Sequence, residues 1–372
     1  MKFHIVKREN CPIWKKCFFY LAAVVIALGL GAVLLSAIGV DPVAYYTRMF
    51  TMGTIGNKIA YKVYINFLKD FVPLALTSIA LSLAFKMRFW NIGGEGQFIL
   101  GSIAAAAVAF KLGQVLPTGA TLLVMCLAAM VVAGLYGLFV AALKVKFGTN
   151  ETLMTLMLNY VALYILTFLA ETKADWNFFL DPEVSRPVFA NFGKIVSFPS
   201  IPMVGKFSLN VCVIFTVLIG ALIYVYLRYT KQGYEISVVG DSAGTARYAG
   251  MKVNTIVLRT VFLSAALIGL AAAFKVGTAG ILSTAITDDV GWTGIIVAWL
   301  SQLNTVVIFV VSALICVLHY GSTVAAATFS QVDSSFANML QGVILFLVLA
   351  ADFYTRFRVV PVKKGGKNNG NG

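Results

Sequence analysis

The residues with the clearest chemical potential lie in the segment Trp90–Phe98, which reads WNIGGEGQF within a strongly apolar chain. Asn91, Glu95 and Gln97 offer two amides and a carboxylate that can hydrogen-bond a polar solute or close a gate. Three glycines within four positions hold a regular helix poorly, because each costs roughly 1 kcal/mol relative to alanine. The segment predicts either a broken membrane helix that lines a solute pathway, or a tight turn in which Glu95 favours the start of the next helix.

A second polar segment, residues 228–254, is the longest basic loop of the chain. Its centre predicts a short helix that is capped by Asp241 or Ser242 and ends at Gly250. The small residues on one side of this helix would let a partner pack closely against it.

Two side chains of this short helix, Arg247 and Tyr248, belong to types that are enriched at protein interfaces. The helix is therefore predicted to dock a soluble partner. A solvated loop helix without any partner is the alternative.

Further polar residues enter the apolar run that begins near residue 153. Asn150 is placed to cap this helix, and Glu151 suits its positive end; a partner contact is the alternative for these two residues. Asn159 lies eight residues beyond Glu151. An amide at that depth is costly unless it is paired, so Asn159 either joins helices or faces a cavity.

Small and aromatic residues mark the last third of the chain. Residues 265, 269, 273 and 277 are alanine or glycine at i+4 spacing, which permits close helix packing, and we expect that packing within the subunit. The segment Thr278–Trp292 predicts a re-entrant gate or an external loop, of which we favour the loop. Trp292 is expected to be an interfacial or packing residue, with stacking on a planar solute ring as the alternative.

The composition places the chain among polytopic helical membrane proteins. It is 60% hydrophobic and only 12% charged over 372 residues, and apolar runs of about 16 to 25 residues recur throughout. The net charge of +14 lies in short loops between apolar runs, which argues against nucleic acid as a partner. The five cysteines form no CxxC pair, and neither histidine suggests a metal site.

Ten apolar spans are predicted, at about 18–39, 71–89, 97–112, 119–143, 153–171, 208–228, 256–276, 291–303, 305–320 and 338–355. With both ends inside, 19 of the 29 lysines and arginines fall on the cytoplasmic side, as the positive-inside rule requires. The expected fold is thus all-α, with both termini and the docking helix in the cytoplasm.

A single transmembrane domain, residues 18–355, is expected between two cytoplasmic tails, 1–17 and 356–372. The first span is interpreted as uncleaved, because it is longer than a signal peptide and lacks a clear cleavage site. Two long external segments, about 40–70 and 172–207, complete the topology. The second is large enough for a small cap or docking surface, and the last ten residues are expected to be disordered.

Three ordered motifs resemble the permease subunits of ABC importers for nucleosides and related sugars. An N-I-G-x-E-G-Q stretch is matched at Asn91–Gln97, and a G-x-N-E stretch with a later L-M-L-N-Y is matched at Gly148–Glu151 and Leu156–Tyr160. A coupling segment is matched at Gly240 and Ala246–Met251, although Ser242 stands where the family often has asparagine. The resemblance covers roughly residues 70 to 350.

This resemblance implies a multi-pass bacterial cell-membrane protein that forms half of a pore and carries out no covalent chemistry. Its implied partners are a second homologous permease, an ATPase with two nucleotide-binding domains and a substrate-binding lipoprotein. ATP and Mg²⁺ would bind to the ATPase, since this chain has no GxxxxGK[ST] motif and needs no cofactor of its own. The residues assigned to the solute pathway or gate are Asn91, Glu95, Gln97, Asn159 and Trp292. Those assigned to ATPase coupling are Gly240, Asp241, Ala246, Arg247, Tyr248, Gly250 and Met251.

An ion-coupled secondary transporter of a small polar solute is the alternative function. Such a protein needs intramembrane acidic residues or inverted repeats. Glu95 is the one fair candidate carboxylate in the sequence, and no convincing repeat relates the two halves. An integral membrane enzyme would need clustered histidine, aspartate or cysteine side chains, which the sequence lacks.

Overall fold

The computed structural model describes residues 3–7, 12–57, 59–204, 206–329, 331–332 and 334–361, and helices dominate this part of the chain. The helices are α1 Ile13–Ala37, α2 Pro42–Phe50, α3 Ala60–Lys86, α4 Gly94–Leu112, α5 Thr118–Phe147, α6 Glu151–Glu171, α7 Val211–Tyr229, α8 Lys231–Asp241, α9 Ala243–Tyr248, α10 Val253–Ala279, α11 Val290–Leu300, α12 Thr305–Thr328 and α13 Ser334–Arg356. The strands are β1 Phe3–Lys7, β2 Ser200–Val204, β3 Phe207–Asn210 and β4 Phe357–Pro361.

Among the described residues, nine helices are long and apolar enough to cross a membrane: α1, α3, α4, α5, α6, α7, α10, α12 and α13. The predicted eighth span is α11, which is apolar but has only 11 residues. The expected all-α, multi-pass membrane protein is therefore confirmed. The β-structure is limited to two antiparallel pairs, β1 with β4 and β2 with β3.

Several helices extend beyond the predicted spans. Helix α3 begins at Ala60 rather than near residue 71, and α12 ends at Thr328 rather than near residue 320. Lys62, Lys69 and Asp70 lower the hydropathy of the first turns of α3. Lysine is nevertheless a good helix former, so the helix continues where the apolar pattern stops.

The segments expected to be loops contain regular structure. Residues 40–70 include α2, which Asp41 caps through the Val43 N–H at 2.9 Å, and the start of α3. Residues 172–207 include β2 and an isolated bridge between Leu180 and Phe189. Residues 228–254 fold into α8 and α9, so the coupling region has two short helices rather than the single one expected.

One compact unit of the chain, Thr54–Cys316, is organised around α10. This helix packs on α3, α4 and α5. The ridge of small residues on α10 faces these neighbours: a Cβ added at Gly269 would lie 2.2 Å from the Ala129 carbonyl oxygen. The ridge thus packs within the subunit, as expected.

An aromatic cap covers one end of α10 within this unit. Phe110 makes edge contacts with Phe179 and Phe192, at ring-centroid distances of 6.1 and 5.2 Å. The N–H groups of Phe192 and Gly193 both donate to the carbonyl of Gly280, at 2.9 and 3.0 Å. Residues 172–207 are therefore fixed to the helix that organises the core.

The other compact unit comprises the described residues of 1–53 and 317–372 and holds α1, α2 and α13. The Tyr20 hydroxyl donates to Asp352 Oδ1 at 2.8 Å, which joins α1 to α13. Strand pairing of β1 with β4 brings together two segments that were expected to be separate tails. The expected disordered C-terminus, residues 363–372, lies outside the described residues.

Candidate functional site

The predicted broken helix is a turn between α3 and α4, and it is recessed within the helix bundle. Helix α3 ends at Lys86, residues 87–93 are non-helical, and α4 begins at Gly94. Gly96, in the first turn of α4, contacts Asn159 of α6, which lies eight residues beyond the start of that helix at Glu151. At 1.5 Å per residue this amounts to about 12 Å. The connection therefore begins at the end of α3, and its last residues, together with the start of α4, lie well inside the bundle.

Two side chains close this recessed turn by pairing with each other. The Asn91 Nδ2 group donates to Gln97 Oε1 at 3.1 Å, and Gln97 Nε2 donates back to Asn91 Oδ1 at 3.0 Å. The Gly93 N–H also donates to Asn91 Oδ1, at 3.1 Å. Both side chains are buried, so their polar atoms are satisfied by protein groups in this conformation.

Asn159 fixes the turn to α6. Its Oδ1 accepts from the Gly96 N–H at 2.8 Å, and its Nδ2 donates to the Ile92 carbonyl at 2.9 Å. Gly96 belongs to the first turn of α4, whose N–H groups lack partners within the helix. The residue before α4, Gly93, has no side chain to cap it. Asn159 therefore caps α4 from a neighbouring helix, which is the helix-joining alternative of the two predicted for it.

Glu95 lies beside the first turn of α11. The Gly291 N–H donates to Glu95 Oε2 at 2.9 Å, and the Thr287 hydroxyl and the Trp292 N–H also reach this carboxylate. The end of the segment Thr278–Trp292, which was expected to be an external loop, therefore packs against the buried Glu95 inside the bundle. Trp292 is 36% exposed beside Glu95, so the structure brings these two predicted pathway residues together.

The structure contains an ion pair between α3 and α10 that the sequence did not predict. Lys275 Nζ lies 2.7 Å from Asp70 Oδ1, and both side chains are largely buried. The available signal was a lysine within the apolar run of the seventh predicted span, since ionisable residues in such runs are rare and need partners. Asp70 gave no comparable signal because it stood at the edge of a predicted span.

The predicted coupling residues lie on and around α8 and α9. Ser242 caps α9 through the Thr245 N–H at 3.2 Å, whereas Asp241 is the last residue of α8, so the Asp241 alternative for this cap is wrong. Gly250 has a φ of +78° and ends the short helix region as expected. Ala246 is buried, Arg247 is exposed, and Tyr248 is 96% exposed.

Helix α8 is held tightly against the end of α3. A Cβ added at Gly240 would lie 2.0 Å from the Lys86 carbonyl oxygen. Glu235 on α8 pairs with Arg259 on α10 at 3.1 Å. Met251 follows α9, and its N–H donates to the Ala246 carbonyl at 3.0 Å. The coupling residues thus lie in one region that contacts both α3 and α10.

A cavity of about 450 Å³ lies beside this region. Its lining includes Arg88 of the α3–α4 connection, Lys144 of α5 and Arg247 of α9.

Asn150 caps α6 as expected, accepting from the N–H groups of Thr152 and Leu153. Glu151 forms an ion pair with Lys144, so its carboxylate binds a residue of this same subunit. In the described part of the chain, no group of three or more His, Cys, Asp or Glu side chains is arranged to hold a metal ion.

Comparison with known proteins assigns this chain to a family. The family model described as "Branched-chain amino acid transport system / permease component" matches residues 63–349. The chain is 28% identical over 360 residues to the glucose ABC transporter permease protein of Haloferax volcanii, covering 95% of this chain and 92% of that protein. No solved structure matches the chain.

Two further relatives carry related names. The guanosine ABC transporter permease protein of Bacillus subtilis is 26% identical over 354 residues, covering 94% of this chain and 97% of that protein. The nucleoside ABC transporter permease protein of Lactococcus lactis is 25% identical over 312 residues, covering 83% and 84%. The apolar helices and these similarities make the chain a transmembrane permease subunit of an ATP-driven importer, and it belongs to the family of branched-chain amino acid transport system permease components.

Proposed function

We propose that this permease imports a nucleoside or a related sugar, which an external binding lipoprotein delivers. The names of three relatives support this solute class: two mention guanosine or nucleosides and one mentions glucose. This subunit contributes half of the pathway, and a second homologous permease contributes the other half. Asn91, Glu95, Gln97, Asn159 and Trp292 form or support the pathway wall.

The observation that carries the coupling mechanism is the contact of Gly240 with the Lys86 carbonyl. It connects α8 and α9 directly to the end of α3, from which the recessed turn continues. We place this surface in the cytoplasm, where an ATPase with two nucleotide-binding domains docks on Arg247 and Tyr248. Movement of the ATPase displaces α9, and the contacts of α8 with α3 and α10 transmit the displacement to the recessed turn.

The assembly and its solute can be tested together. We expect the chain, tagged in its native membrane and mildly solubilised, to co-purify with an ATPase, a second permease and a lipoprotein in fixed ratio. In proteoliposomes, we expect ATP-dependent uptake of radiolabelled guanosine, uridine or glucose, but not of leucine. Leucine is the informative comparison because the family description names branched-chain amino acids. Leucine uptake would refute the proposed solute class, and isolation of the chain without an ATPase would favour an ion-coupled transporter.

Tyr248→Ala is expected to reduce ATP-driven uptake at least tenfold while leaving the amount of subunit in the membrane unchanged. Tyr248 is 96% exposed, so its ring adds little to the fold of this subunit. Truncation of a tyrosine that is a hot spot of an interface costs about 2 kcal/mol or more, and 1.4 kcal/mol corresponds to a factor of ten. Uptake and ATPase co-purification would be measured together.

The matched control for this substitution is Tyr164→Ala. Tyr164 is 68% exposed on α6, a membrane-spanning helix. We expect its replacement to leave ATPase association intact. Equal retention of the ATPase by both variants would contradict the docking role of Tyr248.

A further inference from the structure

Helix α11 is too short to cross a membrane, so one of its ends lies inside the bundle. Its 11 residues span about 16 Å, roughly half of the 30 Å hydrocarbon core. The hydrogen bond from the Gly291 N–H to Glu95 identifies the N-terminal end as the inner one, because Glu95 belongs to the recessed first turn of α4. The chain before α11, residues 280–289, is non-helical.

The start of α11 depends on Glu95 for its cap. The residue at the cap position, Asp289, has a φ of +55° and makes no side-chain hydrogen bond to the helix. The first N–H groups of a helix have no partner within it. Glu95 supplies an acceptor for the Gly291 N–H from another helix, and its negative charge suits the positive end of the helix dipole.

The other end of α11 is held by Trp90, which directly precedes the Asn91–Gln97 stretch. The rings of Trp299 and Trp90 stack with a centroid distance of 5.1 Å and an interplanar angle of 15°. Trp299 also lies 5.6 Å from the ring of Phe85. One short segment, Trp90–Glu95, therefore contacts both ends of α11.

No space remains between Glu95 and α11 for a solute. A Cβ added at Gly291 would lie 2.4 Å from the Glu95 backbone nitrogen and 2.5 Å from its Oε2 atom. Glu95 is only 8% exposed. In this conformation its carboxylate is occupied by the protein, and the backbones of the two helix starts are in direct contact.

We propose that Trp90–Glu95 is a cradle for α11 and that Glu95 is a positioning residue, which acts on transport by holding the start of this helix rather than by touching the solute. Asp289 and Trp292 flank the held position, so the cradle decides where these two residues stand in the pathway. The proposal deepens, and rests on, the proposed import function. What matters in Glu95 is then the position of its acceptor oxygen, and its charge is secondary.

Two conservative variants separate position from charge. Glu95→Gln keeps the chain length and an acceptor oxygen but removes the charge, whereas Glu95→Asp keeps the charge but withdraws the carboxylate from the Gly291 N–H. The reporter is Thr293→Cys in the first turn of α11, introduced after the five native cysteines are replaced by alanine. Its labelling rate with a membrane-impermeant maleimide is measured on the assembled transporter without ATP or solute. Uptake is measured in parallel on the same preparations.

We expect Glu95→Gln to keep the labelling rate within twofold and to lower uptake less than Glu95→Asp does. Glu95→Asp should change the labelling rate at least fivefold and lower the maximal uptake rate, with the KM for solute within twofold. A larger change of the labelling rate in Glu95→Gln than in Glu95→Asp, or an unchanged rate in both variants, would overturn the proposal. An equal rise of the KM for solute in both variants would also overturn it. Because labelling needs neither solute nor ATP, an error in the proposed solute class would leave this result unaffected.

Discussion

Gly269→Leu is expected to abolish accumulation of the folded subunit. Gly269 lies where α10 crosses α4 and α5: an added Cβ would come 2.2 Å from the Ala129 carbonyl oxygen and 2.7 Å from the Ala133 Cβ. On the opposite helix, an added Cβ at Gly101 would lie 2.9 Å from the Gly269 Cα. Backbone atoms cannot move aside as a flexible side chain can. The overpacking therefore costs on the order of 3 kcal/mol or more.

The measurement is size-exclusion chromatography of a fluorescent fusion solubilised from membranes. The wild-type protein should elute as a single symmetric peak, and Gly269→Leu should elute as aggregate or be missing. Gly119→Leu is the matched control, because Gly119 lies on α5 and an added Cβ meets nothing within 4 Å. A monodisperse Gly269→Leu variant would show that α10 does not pack in this way.

Asn159→Leu is expected to destabilise the subunit more than a single substitution at Asn91, Glu95 or Gln97. The substitution keeps the number and branching of the side-chain heavy atoms but leaves the Gly96 N–H and the Ile92 carbonyl without their partner. A buried polar group without a hydrogen bond costs about 1–3 kcal/mol, and both groups are affected at once. We expect the midpoint of thermal unfolding to fall by about 5 °C or more.

A threonine on the same helix supplies the control for this second substitution. The Thr167 hydroxyl donates only to the Leu163 carbonyl, one turn earlier in α6. Thr167→Val removes a polar atom without leaving an unpaired partner, so its melting midpoint should stay within about 1 °C of wild type, consistent with the small cost of such changes. If Asn159→Leu and Thr167→Val have the same midpoint of thermal unfolding, Asn159 is not the cap of α4.

The local signals in the sequence were reliable where a helix start or end is decided by its own residues. Asn150 caps α6, Ser242 caps α9, and the left-handed Gly250 follows α9, as predicted from residue types alone. These features involve atoms within a few positions of each other, so the sequence contains all the information they need. The apolar runs likewise predicted the positions of the nine long helices that the described residues form, although not the first turns of α3 or the last turns of α12, and they predicted a span where α11 has only 11 residues.

The polar motif shows the limit of this local information. Asn91, Glu95 and Gln97 were recognised as functional candidates, but two interpretations, a turn and a pathway, were equally compatible with their spacing. The structure shows a turn whose far end, at Gly96, lies about 12 Å along α6 from its start, a depth that no local pattern encodes. The cap of α4 comes from Asn159, and the cap of α11 comes from Glu95, 196 residues away in the chain.

The sequence by itself determined the class of protein, the approximate positions of the long helices, the caps of α6 and α9 and the segments that are candidates for function, because hydropathy and local capping depend on neighbouring residues. Only the tertiary structure decided which polar groups pair across the bundle. The Lys275–Asp70 ion pair joins residues 205 positions apart, and the position of the short helix α11 depends on its contacts with α3 and α4. The physical reason is that a buried polar group must find a partner wherever the fold provides one, and in this chain the fold provides it on another helix.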